Sequence, residues 1–303
     1  MSETTETTSP ARQPSRLARI PFIGEALDRH LAPKPIVAVL PLTGVIAPGG
    51  MGTPLRRGGL NLAALDRSIE IAFRLPRLKA VALAVNSPGG SPVQSALIAR
   101  RIRQLAEEKK VPVLAFCEDA AASGGYWLAC AADEIFADGA SIVGSIGVIT
   151  SSFGFTGAME KLGVDRRVYT AGNSKSQLDP FLPENPDDVL RLRELQNDLH
   201  AQFKDWVMAR RGGKLAQDQD LFDGRFWTGR RGLELGLIDG LGDLHGICRA
   251  RFGKEVVFRR IGQRRGFLSR WVGATLPERL GGSIAEAALE AAEARAAWAR
   301  IGL

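Results

Sequence analysis

Cysteine is scarce: Cys117, Cys130 and Cys248 are the three in 303 residues, an odd number without Cys-x-x-Cys spacing. This excludes a disulfide framework and a thiolate zinc site, and fits a reducing compartment with three buried, small apolar residues. Histidine is equally rare. His30, His200 and His245 sit in no recognisable triad context, and no Gly-x-Ser-x-Gly elbow surrounds any serine. The first fifteen residues are polar and lack an apolar run, so no secretory signal peptide is expected. No transmembrane helix is expected either. Gly139 to Met159 is 21 residues without a charge, but eleven are Gly, Ser or Thr, which suits packed strands and turns.

What is present is ordinary for a folded body: 45% hydrophobic and 24% charged residues rule out wholesale disorder. The formal charge of +7 sits in one place, because residues 249–270 carry eight basic groups against Glu255 alone. Three regions are expected: a polar and basic arm (1–34), a main domain (35–250), and a basic segment with a C-terminal helix (251–303).

Ile36–Leu42, Lys79–Val85 and Val111–Phe116 are apolar runs of strand length, and Glu134–Ala137, Ile146–Ile149 and Arg166–Thr170 are shorter candidates. Between them lie helical patterns. Asn61 caps one with Leu62, Leu65, Ile69 and Phe73 inward, and Ser91, with Pro92 and Gln94, caps a second in a capping box. Further helices are expected over Ala122–Ala132, Thr156–Leu162 and Asp187–Arg210, and an Ala-rich one after Ser283 and Glu286. A Gly/Pro-rich loop, Ala47–Gly59, is long enough to be functional. Unbroken apolar strands alternating with helices argue for a mostly parallel sheet covered on both faces, with sites where strands end and helices begin.

Two such junctions carry chemistry. Ser123-Gly124-Gly125 follows a buried strand at a helix mouth, where a hydroxyl and free backbone N–H groups face a cleft. Asn86-Ser87-Pro88-Gly89-Gly90 offers glycine N–H groups from the opposite side. Each also reads as plain structure, a capping serine and a tight turn. A nucleophilic serine needs a base. His200 and His245 read as surface or core residues. Of nine lysines, Lys175 has neutral polar neighbours in Gly172-Asn173-Ser174-Lys175-Ser176-Gln177. It reads as a solvated loop lysine or as a base, and a lysine base must be desolvated enough to lose its charge.

Together these blocks resemble the signal peptide peptidase SppA/SohB family, Ser/Lys-dyad serine peptidases on the Clp protease and crotonase fold. Matching pieces are Asn86–Gly90, Ala121–Trp127, Gly144–Ile149, the lysine of the 172–177 stretch, and Asp223–Asp239. The resemblance covers residues 35–250 or so and implies Ser123 as nucleophile and Lys175 as general base. It also implies Ser145 as the residue orienting the lysine, and an oxyanion hole from Gly90 with the Ser123 and Gly124 amides, Gly89 being the neighbouring candidate. It implies no metal and no cofactor, apolar peptide substrates such as remnant signal peptides, and a homo-oligomeric ring whose dyad is shared between subunits. Members usually carry an N-terminal membrane anchor, and none is expected in this chain. A cytoplasmic site is expected, with peripheral contact at the inner face of the plasma membrane through 249–272, where Phe267, Leu268 and Trp271 adjoin arginines. A nucleic-acid partner is not expected. Two alternatives stand beside the peptidase: a crotonase-type acyl-CoA enzyme using Glu118 or Asp119, and a catalytically inactive scaffold at the membrane surface.

Overall fold

The computed structural model describes residues 34–48, 59–172, 174–262, 292 and 294–303. One sheet runs β6-β5-β3-β2-β1-β8, with β4 beside β3 and β7 beside β4. Its strands are β1 (Ile36–Thr43), β2 (Leu78–Ser87), β3 (Val113–Ala122), β4 (Glu134–Ala137), β5 (Ile142–Gly144), β6 (Phe226–Thr228), β7 (Gly240–Leu241) and β8 (Val257–Arg260). Every pairing is parallel except β5 with β6. The fold class is therefore the expected α/β one, with a mostly parallel sheet.

The apolar runs are unbroken because both faces of the central strands are covered. Ala38, Leu40 and Leu42 of β1 face one side, with Leu83 of β2 and Ala115 of β3. There they meet α1 (Leu62–Phe73), α2 (Pro92–Lys109) and α3 (Gly124–Ala129) through Ile69, Phe73, Ile98, Ile102 and Leu128. Val37, Val39, Ala82 and Phe116 face the other side, toward α7 (Leu244–Phe252) and its buried Cys248. Asn61 caps α1, its Oδ1 accepting from Ala64 N at 3.0 Å. Ser91 caps α2, with Pro92 first in the helix. Gln94 does not close a capping box: its Oε1 accepts from Leu62 N at 3.0 Å, since Ser91 N already donates to Ile46 O at 2.7 Å.

Several elements differ from the sequence expectation. β3 continues six residues past Phe116, because Ala120–Ala122 pair with Ile142–Gly144. The expected helix over Ala122–Ala132 shrinks to α3, since Ala122 ends that strand, Ser123 turns the chain and the helix stops at Ala129. The strand expected at Ile146–Ile149 lies instead at Ile142–Gly144, because Gly144 (φ 103) and Ser145 (φ 55) turn the chain. Arg166–Thr170 has no strand partner and forms no strand. The sheet takes in β8 beside β1, so chain beyond residue 250 belongs to its edge. Most of the loop expected over Ala47–Gly59, residues 49–58, and the helix start expected at Ser283 and Glu286 lie outside the described residues.

The sheet divides along β3. Residues 114–117 pair with β4, and 120–122 with β5. The change falls where β2 and β3 lose register, between Val85↔Cys117 and Ser87↔Ala121. Asn86 fills this gap with its side chain, donating to Asp119 Oδ2 at 2.7 Å and accepting from Ala120 N at 3.2 Å. A side-chain amide thus replaces missing ladder bonds where β3 passes from β4 to β5 on its way to Ser123.

Candidate active site

Ser123 sits between β3 and α3 with φ 52 and ψ −122, a conformation costly for any residue with a side chain. Its hydroxyl makes no capping bond to α3, so the plain reading of a capping serine does not hold. Its own N–H is committed, donating to Gly144 O at 2.8 Å. That bond draws the Gly144-Ser145 turn against the serine. Ser145 N in turn donates to Arg225 O at 2.7 Å, so the turn hangs on the chain that enters β6.

The second junction abuts the first. A Cβ built on Gly89 would lie 2.7 Å from Ser123 Cβ, and one on Gly124 would lie 3.4 Å from Gly90 N. Gly89 is buried and its N–H donates to Ser87 Oγ at 3.2 Å, whereas Gly90 is exposed to the cleft. Of the four amides expected in an oxyanion hole, those of Ser123 and Gly89 are thus engaged within the chain. Gly90 remains, with Gly124, whose position at the first turn of α3 leaves its N–H without an intrahelical acceptor.

Ser123, Gly89, Gly90, Gly124 and Ser145 line one cavity of about 460 Å³. Trp127, Phe203, Val148 and Ile149 give it apolar walls. Helix α5 (Pro186–Arg211) braces it from behind. Phe203 stacks on Trp127 at 4.7 Å, Trp206 Nε1 donates to Trp127 O at 3.0 Å, and the His200 ring bonds Ile146 O at 3.2 Å. His200 is therefore a strut, and His245 packs edge-on against Phe258 beside another cavity. Glu118 and Asp119 line that other cavity as well, away from Ser123.

Lys175 is not among the residues lining the Ser123 cavity. It lies exposed in a lobe between β5 and α5 that includes α4 (Thr156–Leu162). This lobe is held by its own contacts: Phe155 stacks on Phe181, Phe155 N donates to Pro180 O, and Arg166 pairs with Asp179. The Phe181 amide and Arg166 keep the Asp179 carboxyl below the ordinary carboxylate range. Helix α4 buries none of its residues, while Phe153 and Tyr169 are 80% and 88% exposed.

Sequence reasoning missed three contributors. The Asn86 clamp and the Ser87 hydroxyl appear only when β2 and β3 are paired, and nothing local distinguishes them from turn residues. The third is the C-terminal turn. Ala297, Arg300 and Ile301 line the Ser123 cavity, and Ile301 is buried against Ala120 and Ala122. The three thiols are buried as expected, and burial pushes Cys117 and Cys130 up to about 12 and Cys248 to about 11. None is a nucleophile in that state.

A strained serine at a strand end, faced by two glycine junctions, suits acyl transfer through an oxyanion. Residues 105–251 match the model of Peptidase family S49. Over that stretch, just under half of its length, the chain is similar to that family, which supports the SppA/SohB resemblance read from its sequence. It is 34% identical over 194 residues to "Serine protease SPPA, chloroplastic" of Arabidopsis thaliana, covering 63% of this chain and 28% of that protein. It is 48% identical over 274 residues to a protein of Brucella abortus named "Na(+)/H(+) antiporter NhaA", covering 88% of this chain and 37% of that protein. The chain thus spans well under half of either relative. No helix among the described residues is long and apolar enough to cross a membrane. Among solved structures, the 1510-N membrane-bound stomatin-specific protease aligns over 77% of this chain and 100% of its own, at 17% identity and a TM-score of 0.42.

Proposed function

We propose that this chain is a serine endopeptidase cleaving extended apolar peptides, remnant signal peptides among them, through an acyl-enzyme on Ser123. The observation that carries the reading is the strained Ser123, its hydroxyl uncommitted beside the Gly90 and Gly124 amides. Lys175 takes the Ser123 Oγ proton as Oγ attacks the scissile carbonyl carbon. The Gly90 and Gly124 N–H groups stabilise the oxyanion, and Ser145 orients the amine. Collapse breaks the peptide C–N bond, and the leaving amine takes the proton from Lys175. Water then attacks the ester, gives its proton to Lys175, and frees Ser123 as the proton passes back to Oγ.

In this proposal Lys175 comes from a second copy. The exposed apolar lobe supports this, since a short helix with no buried face gains its packing from something that covers it. Peripheral placement at a cytoplasmic membrane face belongs to the same proposal. The basic segment invoked for it lies partly outside the described residues. Of its described arginines, Arg251 is already paired with Glu134 at 2.6 and 2.7 Å.

The test is labelling with a fluorophosphonate and hydrolysis of a fluorogenic apolar peptide. Wild type is labelled at Ser123 and turns over. Ser123→Ala and Lys175→Ala each lose turnover while remaining folded and of unchanged oligomeric size. Full turnover in Lys175→Ala would overturn the dyad, and full turnover in Ser123→Ala would overturn the peptidase site.

A further inference from the structure

The turn after β2 presents two consecutive glycine amides to the Ser123 junction, and the structure treats them unequally. We infer that Ser87 is a positioning residue for the oxyanion hole: its hydroxyl takes the Gly89 N–H out of use and fixes that of Gly90 as the donor facing the cleft. This rests on the serine-peptidase reading of the site.

Ser87 has no exposed surface. Its Oγ donates to Gly44 O at 2.7 Å and accepts from Gly89 N at 3.2 Å, so both capacities of the hydroxyl are used. The peptide between Pro88 and Gly89 is thereby pinned. The following peptide is pinned as well, because Gly89 O accepts from Ile46 N at 2.8 Å. In a trans peptide the C=O and the next N–H point in opposite directions. With Gly89 O aimed at Ile46, Gly90 N–H is aimed away from it; Gly90 N lies 3.4 Å from a Cβ built on Gly124, at the start of α3. Only glycine tolerates the φ values that result, 105 at Gly89 and 137 at Gly90.

The same serine sets the distance to the opposite donor. A Cβ on Gly125 would lie 2.5 Å from Ser87 O and 3.2 Å from Ser87 Cβ, so the first turn of α3 rests on Ser87 itself. Ser87 is thus bonded to the turn carrying one donor and packed against the helix carrying the other. Without its hydroxyl, the Pro88–Gly89 peptide loses its anchor and can rotate, offering the developing oxyanion a second, misdirected N–H. Preorganisation of donors is what gives an oxyanion hole its effect, so the loss falls on the transition state rather than on substrate binding.

The experiment compares Ser87→Ala with wild type in steady-state hydrolysis of an apolar peptide, with folded fraction measured by near-UV circular dichroism. The expected result is a fall in kcat of about tenfold or more with KM changed less than about twofold. Affinity for a peptide boronate, whose adduct places an oxygen in the hole, falls by the same factor. A second measurement needs no variant: in a crystal structure of wild type with a peptide aldehyde on Ser123, the adduct oxygen lies about 3 Å from Gly90 N and Gly124 N, with Gly89 N still on Ser87. Unchanged kcat in folded Ser87→Ala would overturn the inference. So would a kcat loss matching the lost folded fraction, or an adduct oxygen bonded to Gly89 N. Wild type that forms no adduct and turns over no peptide would overturn the peptidase reading beneath it, and this role with it.

Discussion

At the scale of single residues, the site is built from conformations that side chains resist. Ser123 at φ 52, ψ −122 costs on the order of 1–3 kcal/mol. Replacing it with glycine is expected to remove that strain: urea unfolding of Ser123→Gly should show a gain of about 1 kcal/mol alongside complete loss of hydrolysis. Equal or lower stability would mean the strain is illusory. The glycines respond in the opposite sense. A methyl on Gly90 would sit 2.0 Å from Ile46 O at a φ already unfavourable for alanine. Gly90→Ala is expected to cost more than about 2 kcal/mol and to abolish turnover, as read by thermal unfolding and peptide assay.

Among the elements, α5 joins the site to the rest of the sheet. Its middle supports Trp127 and Ile146, and its end inserts Arg211, buried, between Gly236 O and Asp239, which also takes Lys214 at 2.6 Å. Burial pushes the Asp239 carboxyl up, but the bonds from Lys214, Arg211 and Ile135 N outweigh it and leave it below its ordinary value. A carboxyl lowered in the folded state stabilises fully above its unfolded value and progressively less as pH falls through the folded one. Unfolding free energy should therefore drop below about pH 4. Asp239→Asn, about 3 kcal/mol weaker at neutral pH because Arg211 is left buried and uncompensated, should show a flatter acid limb in denaturation across pH 2–7.

Much of this was legible where pattern and burial coincide. β1 and β2 read directly from their apolar runs, α1 and α2 from spacing and caps, and Ser123 with Gly90 from glycine pairs at strand ends. The end of β3 was not, because Glu118 and Asp119 interrupt its apolar pattern at the register change that Asn86 fills. The Arg166–Thr170 run carries the strand-favouring Val168, Tyr169 and Thr170 yet forms no strand, and pairing is a property of the sheet rather than of the run.

For the whole molecule, the separation of Lys175 from Ser123 has a measurable form. Inactive Ser123→Ala and inactive Lys175→Ala, mixed and allowed to exchange subunits, should recover a fraction of wild-type turnover, since some interfaces then pair an intact serine with an intact lysine. No recovery after demonstrated exchange would place both groups in one chain. The C-terminal turn gives a second expectation: ending the chain after Ala297 uncovers Ala120 and Ala122 beside the cavity. Specificity constants for long peptides should then rise relative to those for a small ester, and equal ratios would leave the turn outside the substrate path. This geometry also bears on how the protein is handled. Ile301 lines the Ser123 cavity and Leu303 the neighbouring one with Glu118 and Asp119, whereas Lys34 leads into β1 at the opposite ends of the parallel strands. A purification handle fused behind Leu303 starts two residues from a wall of the Ser123 cavity and risks shifting it; one placed ahead of Lys34 enters at the far side.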